Sequence, residues 1–335
     1  MKIVITTGIY PPAIGGPAQY AKNLAETFRA KGHAVKVLTY RLEKYLPTGV
    51  RHFWFYLRCL FGFAGVDLII TLDTFSVGWP SVCAAKHLNK KIIIRTGGDF
   101  LWEGYVERTG DLVLLREFYQ TRMGKLSFKE RQIFRITKDI LAKADKIAFN
   151  TYWQRVIWAA PYGLDLDKTT VVENFYGPKE ESNYENFPAR KVLVGGTRQL
   201  KWKNLAVLRR AFALAKARLP DLELDLMTAD YDAFQDKIRH SYAVILVSLG
   251  DIGPNLIMDA IRLNKPFICT KETGLYDKIK DIGLFVNPQN ENEIAEQIIF
   301  LSQKVNYEAA ISRLQAFDFI HTWEEIAEEF LNLAQ

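Results

Sequence analysis

Cysteine is scarce: Cys59, Cys83 and Cys269 are the only three in 335 residues, with no C-x-x-C pair and no histidine at zinc-ligand spacing. A disulfide scaffold and a zinc module are excluded, and a reducing compartment is the simple reading. No apolar run reaches the roughly 18 residues that a spanning helix requires. The nearest candidate, Phe53 to Gly65, is rich in aromatics and interrupted by Arg58. It reads either as a core-facing helix between two strands or as a helix lying on a membrane surface. The opening Met1-Lys2-Ile3-Val4-Ile5 enters a strand without the charged, apolar and small-residue stretches of a signal peptide, so a cytoplasmic chain is expected. Short-period repeats, low-complexity segments and nucleic-acid motifs are lacking, and nucleic acid is discounted as a partner.

What is present is the balance of a folded protein: 49% hydrophobic and 24% charged residues, in a chain long enough for two domains. Charge is uneven, net +10 over residues 1–176 and −4 over residues 177–335. Much of the excess lies between Arg116 and Lys146, where Arg122, Lys125, Lys129, Arg131, Arg135, Lys138 and Lys143 recur at helix-like spacing. Such a face attracts phosphates or anionic lipid, or is simply solvated.

Short β-branched runs alternate with helical stretches. Strands are expected at Ile3 to Thr7, Val35 to Tyr40, Asp67 to Thr71, Ile92 to Thr96, Lys146 to Asn150 and Thr170 to Glu173. A helix opened by Pro17 and closed by Gly32 carries the apolar stripe Tyr20, Leu24, Phe28. Gly177 to Pro188 is polar and acidic and reads as a linker, after which the pattern restarts at Lys191 to Gly195. The expected fold is α/β: a Rossmann-like domain over 1–176, a linker over 177–189 and a second doubly wound domain over 190–335, with the last helix packing back on the first domain. Each sheet should be parallel and covered on both faces.

Ligands of open parallel sheets sit beyond the carboxyl ends of the strands, so the residues after strands are the informative ones. The first strand is followed by Gly8 to Pro17, which delivers Gly15 and Gly16 to a helix start, either an anion site or a tight turn. It is not a G-x-G-x-x-G, and no acidic residue closes the second strand, which disfavours a nicotinamide dehydrogenase. In the second domain Gly195-Gly196 leads into Arg198 and Lys203, cations able to clamp a diphosphate. Further on, Asp251 lies in a glycine-rich loop and Asp259 on an apolar helix, where a carboxylate usually has a partner such as a sugar or ribose hydroxyl.

On these residues the chain resembles the family 4 glycosyltransferases, retaining nucleotide-sugar enzymes of the GT-B architecture with two facing Rossmann-like domains. The P-P-x-x-G-G-P loop, the R-x-x-x-x-K pair Arg198 and Lys203, and an E-x7-E-like pair, Asp251 and Asp259, carry the resemblance over nearly the whole chain. It implies a hexosyltransferase-type enzyme taking a nucleotide-sugar donor and a glycan or lipid-linked acceptor, with retention, without a metal or other cofactor, in cell-envelope polysaccharide synthesis. Gly15 and Gly16 would approach the donor phosphates, and Arg198 and Lys203 would neutralise the leaving diphosphate. Asp259 would hold the ribose, Asp251 would face the sugar, and the backbone at Asn255 and Leu256 would add donors. The chain differs from the family pattern in having Asp for both Glu residues and Gly97-Gly98-Asp99 where many relatives place a His. It also has room for a single helix between Met227 and Ala243, a shortened second domain. Asp99 is taken as a further candidate catalytic residue. The basic first domain implies peripheral contact with the inner face of an anionic membrane. The alternatives are a nucleotide-sugar epimerase of the same fold and a non-catalytic nucleotide or glycan binder.

Overall fold

The computed structural model describes all residues except Ile14, 181–189, Thr197, Arg198, Thr228 and Gln335. Arg198 and most of the expected linker therefore lie outside the described residues. In chain order the strands are β1 (Lys2–Thr7), β2 (Ala34–Thr39), β3 (Leu68–Thr71), β4 (Ile92–Arg95), β5 (Lys146–Phe149) and β6 (Thr169–Val171), then β7 (Lys191–Gly195), β8 (Leu222–Asp225), β9 (Ala243–Leu246), β10 (Phe267–Thr270) and β11 (Leu284–Val286). The helices are α1 (Gly16–Ala30), α2 (Thr48–Gly62), α3 (Gly78–His87), α4 (Phe100–Thr109), α5 (Leu115–Thr121), α6 (Phe128–Lys143) and α7 (Tyr152–Tyr162), then α8 (Leu205–Arg218), α9 (Tyr231–His240), α10 (Asn255–Arg262), α11 (Tyr276–Ile279), α12 (Glu291–Leu301), α13 (Lys304–Ala316) and α14 (Trp323–Leu333).

The chain divides into two units, the first made of Met1–Leu101, Lys125–Phe175 and His321–Gln335, the second of Trp102–Gly124 and Tyr176–Ile320. In the first unit six parallel strands run in the order β2-β1-β3-β4-β5-β6. Alternate residues of β1 face opposite sides, and Ile3 and Ile5 join Leu68, Ile70 and Ile93 beneath Ala21, Leu24 and Phe28 of α1. α14 shares this core through Ile326, Ala327 and Phe330, which are fully buried. Its start is fixed by a capping box in which Thr322 Oγ1 accepts from the Glu325 amide at 3.1 Å and the Glu325 carboxylate accepts from the Thr322 amide at 2.7 Å.

The second unit holds a parallel sheet in the order β11-β10-β9-β7-β8. Both its faces are covered. Leu193, Ile245 and Ile268 pack with α8 and α12, whereas Val194, Val244, Leu246 and Cys269 pack with Ile257 and Ile261 of α10. Each such fully buried aliphatic side chain contributes about 1.5–3 kcal/mol relative to exposure. The three cysteines are free thiols, and burial pushes those of Cys59 and Cys269 up.

The division departs from a single cut after residue 176, because residues 102–124 belong with the second unit. The reason is packing: Trp102 leans on Trp202 at 5.7 Å, the Leu115 amide donates to Leu249 O at 3.2 Å, and the Lys201 amide donates to Glu107 Oε1 at 2.6 Å. Gly250 makes the approach feasible, since a Cβ there would lie 2.6 Å from Leu115 Cβ and 3.2 Å from the Trp102 ring.

Candidate functional site

In both sheets the first strand lies between the second and third, β1 between β2 and β3, and β7 between β8 and β9. Successive crossovers leave the sheet in opposite directions at β1/β3 and at β7/β9, which opens a crevice at the carboxyl ends of those strands. The two glycine-containing loops singled out from sequence follow β1 and β7. Each therefore lies at the switch point of its own sheet.

In the first unit Gly15 is the N-cap of α1, with φ 150° and ψ 154°, a backbone state that glycine adopts without strain. Its carbonyl accepts from the Ala18 and Gln19 amides at 3.1 and 3.2 Å, and the first turn carries neither a capping side chain nor an acidic residue. The positive end of the helix is thus not neutralised by its own sequence. Asp99 follows β4 but is buried, 1% exposed, with Oδ2 accepting from Trp158 Nε1 at 2.7 Å. The structure places it in a hydrogen-bonded interior position, tying the loop after β4 to α7.

In the second unit Lys203 closes a 3-10 turn, Lys201–Lys203, and Asn204 caps α8 from a left-handed conformation at φ 60°. The Asn204 amide group donates to Val247 O at 3.2 Å and Pro288 O at 2.6 Å, which pins the loop after β7 to the end of β9. Lys203 Nζ lies 4.2 Å from the Trp202 ring centroid and 2.6 Å from Asp251 Oδ2, the two side chains being 15% and 11% exposed. Asp251 is itself fixed through its backbone, donating to Glu272 O at 2.8 Å and accepting from the Gly274 amide at 3.0 Å. Two expected site residues are therefore brought together.

Asp259 is not part of that pair. It sits on α10 with Arg262 at 4.0 Å, and burial pushes its carboxyl above the usual range against the opposing effects of a Gln235 hydrogen bond and the Arg262 charge. Of the amides expected as donors at the start of α10, that of Asn255 is engaged with Gly253 O at 2.9 Å, and Leu256 follows it in the first turn.

Two side chains beside this loop were not singled out from sequence. Glu272, two residues beyond β10, is 6% exposed, and Arg116 of α5 binds its carboxylate at 2.6 Å. Burial raises the Glu272 carboxyl, and Arg116 offsets this. The position of Glu272 just after a strand was a usable signal; Arg116, more than 150 residues away, gave none.

No protein-family model matches the chain, and no curated protein matches its sequence. Solved structures do. Sucrose-phosphate synthase from Thermosynechococcus elongatus is similar over 99% of this chain and 98% of its own, at 15% identity and TM-score 0.70. Anabaena HepE, in complex with UDP and glucose, matches over the same shares at 15% identity and TM-score 0.70. The fold is that of the GT-B glycosyltransferases. A proposed UDP-N-acetylglucosamine 2-epimerase from Listeria monocytogenes is also similar, at 13% identity and TM-score 0.63 over 98% of this chain and 94% of its own.

Proposed function

We propose that the protein is a glycosyltransferase of the family 4 type, moving a hexosyl group from a nucleotide-sugar to a glycan or lipid-linked acceptor with retention at the anomeric carbon. The observation that carries this reading is the Lys203–Asp251 pair at the switch point of the second sheet, in a chain whose fold is shared with nucleotide-sugar transferases. HepE holds UDP and glucose, and a donor of that chemistry suits a site with a cation for diphosphate beside a carboxylate for sugar hydroxyls.

In this reading Lys203 and Arg198 neutralise the departing diphosphate, and Asp251, released from Lys203 by the incoming phosphate, accepts hydrogen bonds from the sugar. Asp259 serves the ribose, and the backbone at Asn255 and Leu256 lies on the phosphate side. In the first unit the start of α1 at Gly15 and Gly16 serves as an anion site. Asp99 acts through position, holding the loop after β4. Protein cations supply the charge, so no metal or organic cofactor takes part. Such an enzyme works in cell-envelope polysaccharide synthesis at the cytoplasmic face of the membrane.

The test is a panel of nucleotide-sugars scored for binding and for nucleoside diphosphate release, with and without glycan and lipid-linked acceptors. Acceptor-dependent diphosphate release is expected. Conversion of the sugar without an acceptor would establish the epimerase reading favoured by the Listeria neighbour, and binding without turnover in any mixture would leave a nucleotide-binding protein.

A further inference from the structure

The outward face of α2 does not look like a solvated face. Val50, Phe53, Trp54, Leu57 and Phe61 recur at i, i+3, i+4, i+7 and i+11, one stripe of an α-helix. Phe61 is 85% exposed, Phe53 63% and Trp54 45%. The opposite side of the same helix is the core side, with Phe55, Cys59 and Gly62 buried. The sequence offered a core-facing helix or a surface-bound one as alternatives, and the structure shows a helix apolar on both sides. The preceding 3-10 turn, Leu42–Tyr45, adds Leu42 and Tyr45, each more than half exposed. A water-facing helix normally turns polar residues outward. Bare apolar surface of this extent marks a docking site.

The charges beside the stripe say what docks. Residues 41–66 contain four cations, Arg41, Lys44, Arg51 and Arg58, against one carboxylate, Glu43. Glu43 is fully buried and paired with Arg58, and Arg51 donates to the carbonyls of Glu43 and Leu46 at 2.9 and 3.2 Å. The exposed surface is therefore apolar groups rimmed by cations, with no exposed carboxylate on this stretch. The helix layer extends the charge: α3 packs against both α2 and α6, and α6 exposes Lys129, Arg131, Arg135 and Lys138. A second copy of the chain is a poor occupant, since a twofold contact pairs this face with itself and the stretch offers no exposed carboxylate to meet Arg41 and Lys44. A bilayer with anionic headgroups supplies both the negative charge and the apolar layer.

We infer that the α2 face, with the 42–45 turn, binds the surface of an anionic lipid bilayer, Phe53, Trp54, Leu57 and Phe61 entering the headgroup boundary and Arg41 and Lys44 meeting lipid phosphates. α2 lies on the membrane; among the described residues no helix is long and apolar enough to cross one. This inference stands apart from the sugar-transfer reading, because surface binding needs no donor.

The experiment uses the full chain and sedimentation with vesicles of phosphatidylcholine alone or mixed with phosphatidylglycerol, at low and high salt. The wild type is expected to pellet with the mixed vesicles, less so at high salt. The triple variant Phe53→Ser, Trp54→Ser, Phe61→Ser should lose about 10²-fold or more in partition, from the apolar area no longer buried. Arg41→Glu with Lys44→Glu should weaken binding by about 30-fold or more. Melting curves and nucleotide binding of each variant, expected to be unchanged, exclude misfolding and keep the outcome separate from that of the donor site. Failure of the wild type to pellet, or undiminished pelleting of the triple variant, overturns the inference. So does a wild-type dimer in light scattering that becomes monomeric in the triple variant, since another copy would then cover the face.

Discussion

Asp251→Asn separates the two tasks proposed for one ion pair. Lys203 Nζ and Asp251 Oδ2 are 2.6 Å apart with side chains 15% and 11% exposed. At an effective dielectric of about 20, unit charges at that distance attract by about 6 kcal/mol, and the cost of desolvating both ions takes back much of it. Removing one partner of such a pair costs about 3–5 kcal/mol because the other charge is stranded. Lys203 keeps the Trp202 face as a neighbour, which favours the lower end, about 3 kcal/mol. For a unit of this size that lowers Tm by about 6–12 °C. The freed ammonium is then fully available to phosphate, so nucleoside diphosphate affinity in Asp251→Asn should hold or tighten while turnover falls. Lys203→Met, by contrast, loses a charged hydrogen bond of about 1.5–3 kcal/mol and should weaken nucleoside diphosphate binding about 10- to 150-fold. The double variant should regain part of the lost Tm and none of the affinity. Titration calorimetry, thermal melts and steady-state rates on the three variants decide the matter. The reasoning fails if Asp251→Asn weakens diphosphate binding as much as Lys203→Met does, and the sugar-facing role of Asp251 fails if that variant keeps full turnover.

Four further outcomes are expected. Burial holds the Asp259 carboxyl above its unfolded value, so its contribution to stability is best at low pH and is lost as pH rises through the folded value; Asp259→Asn should keep or raise Tm at neutral pH while weakening nucleoside diphosphate binding about 10- to 100-fold, and a lower Tm with unchanged binding would show a helix brace instead. His321 is raised by its Glu329 hydrogen bond and by the Asn174 carbonyl; its stabilisation is complete below the unfolded value near pH ~6.5 and fades as pH rises through the folded one, so His321→Gln should flatten the fall of Tm towards alkaline pH, and an unchanged slope would contradict this. Gly250→Ala forces a methyl against Leu115 and should cost about 1–3 kcal/mol, read as increased proteolysis within residues 102–124; a wild-type digest would show that the contact yields freely. Turnover should survive EDTA, and loss with rescue by magnesium would remove the metal-free mechanism.

Much of the fold was legible because parallel strands buried on both faces leave an unmistakable trace: Lys191–Gly195 was delimited to the residue, and the other expected strands fell within a few residues of their ends. β11 was not legible, being three residues whose apolar character is shared with many loops. Lys203 and Asp251 could be named because each follows a strand, yet their direct pairing could not, since it depends on the register of β7 and β9. The Arg116–Glu272 contact was hidden for a related reason, as it joins segments far apart in sequence, and the nearby approach of Leu115 to Gly250 rests on a missing Cβ that is silent until the neighbours are known. Asp99 carried the same strand-end signal as Asp251, and the signal alone does not distinguish an open carboxylate from one tied to a buried Trp158.

The allegiance of residues 102–124 to the second sheet bears on how such chains can be recombined. A chimera with a single crossover near residue 176 would inherit its second sheet from one parent and the covering segment from the other. Trp202 would then meet a foreign side chain in place of Trp102, the loop at Gly250 a foreign contour in place of Leu115, and Glu272 a surface without its guanidinium. The second unit is thus not a cassette that can be transplanted end to end: a working exchange has to carry two separate stretches of sequence together.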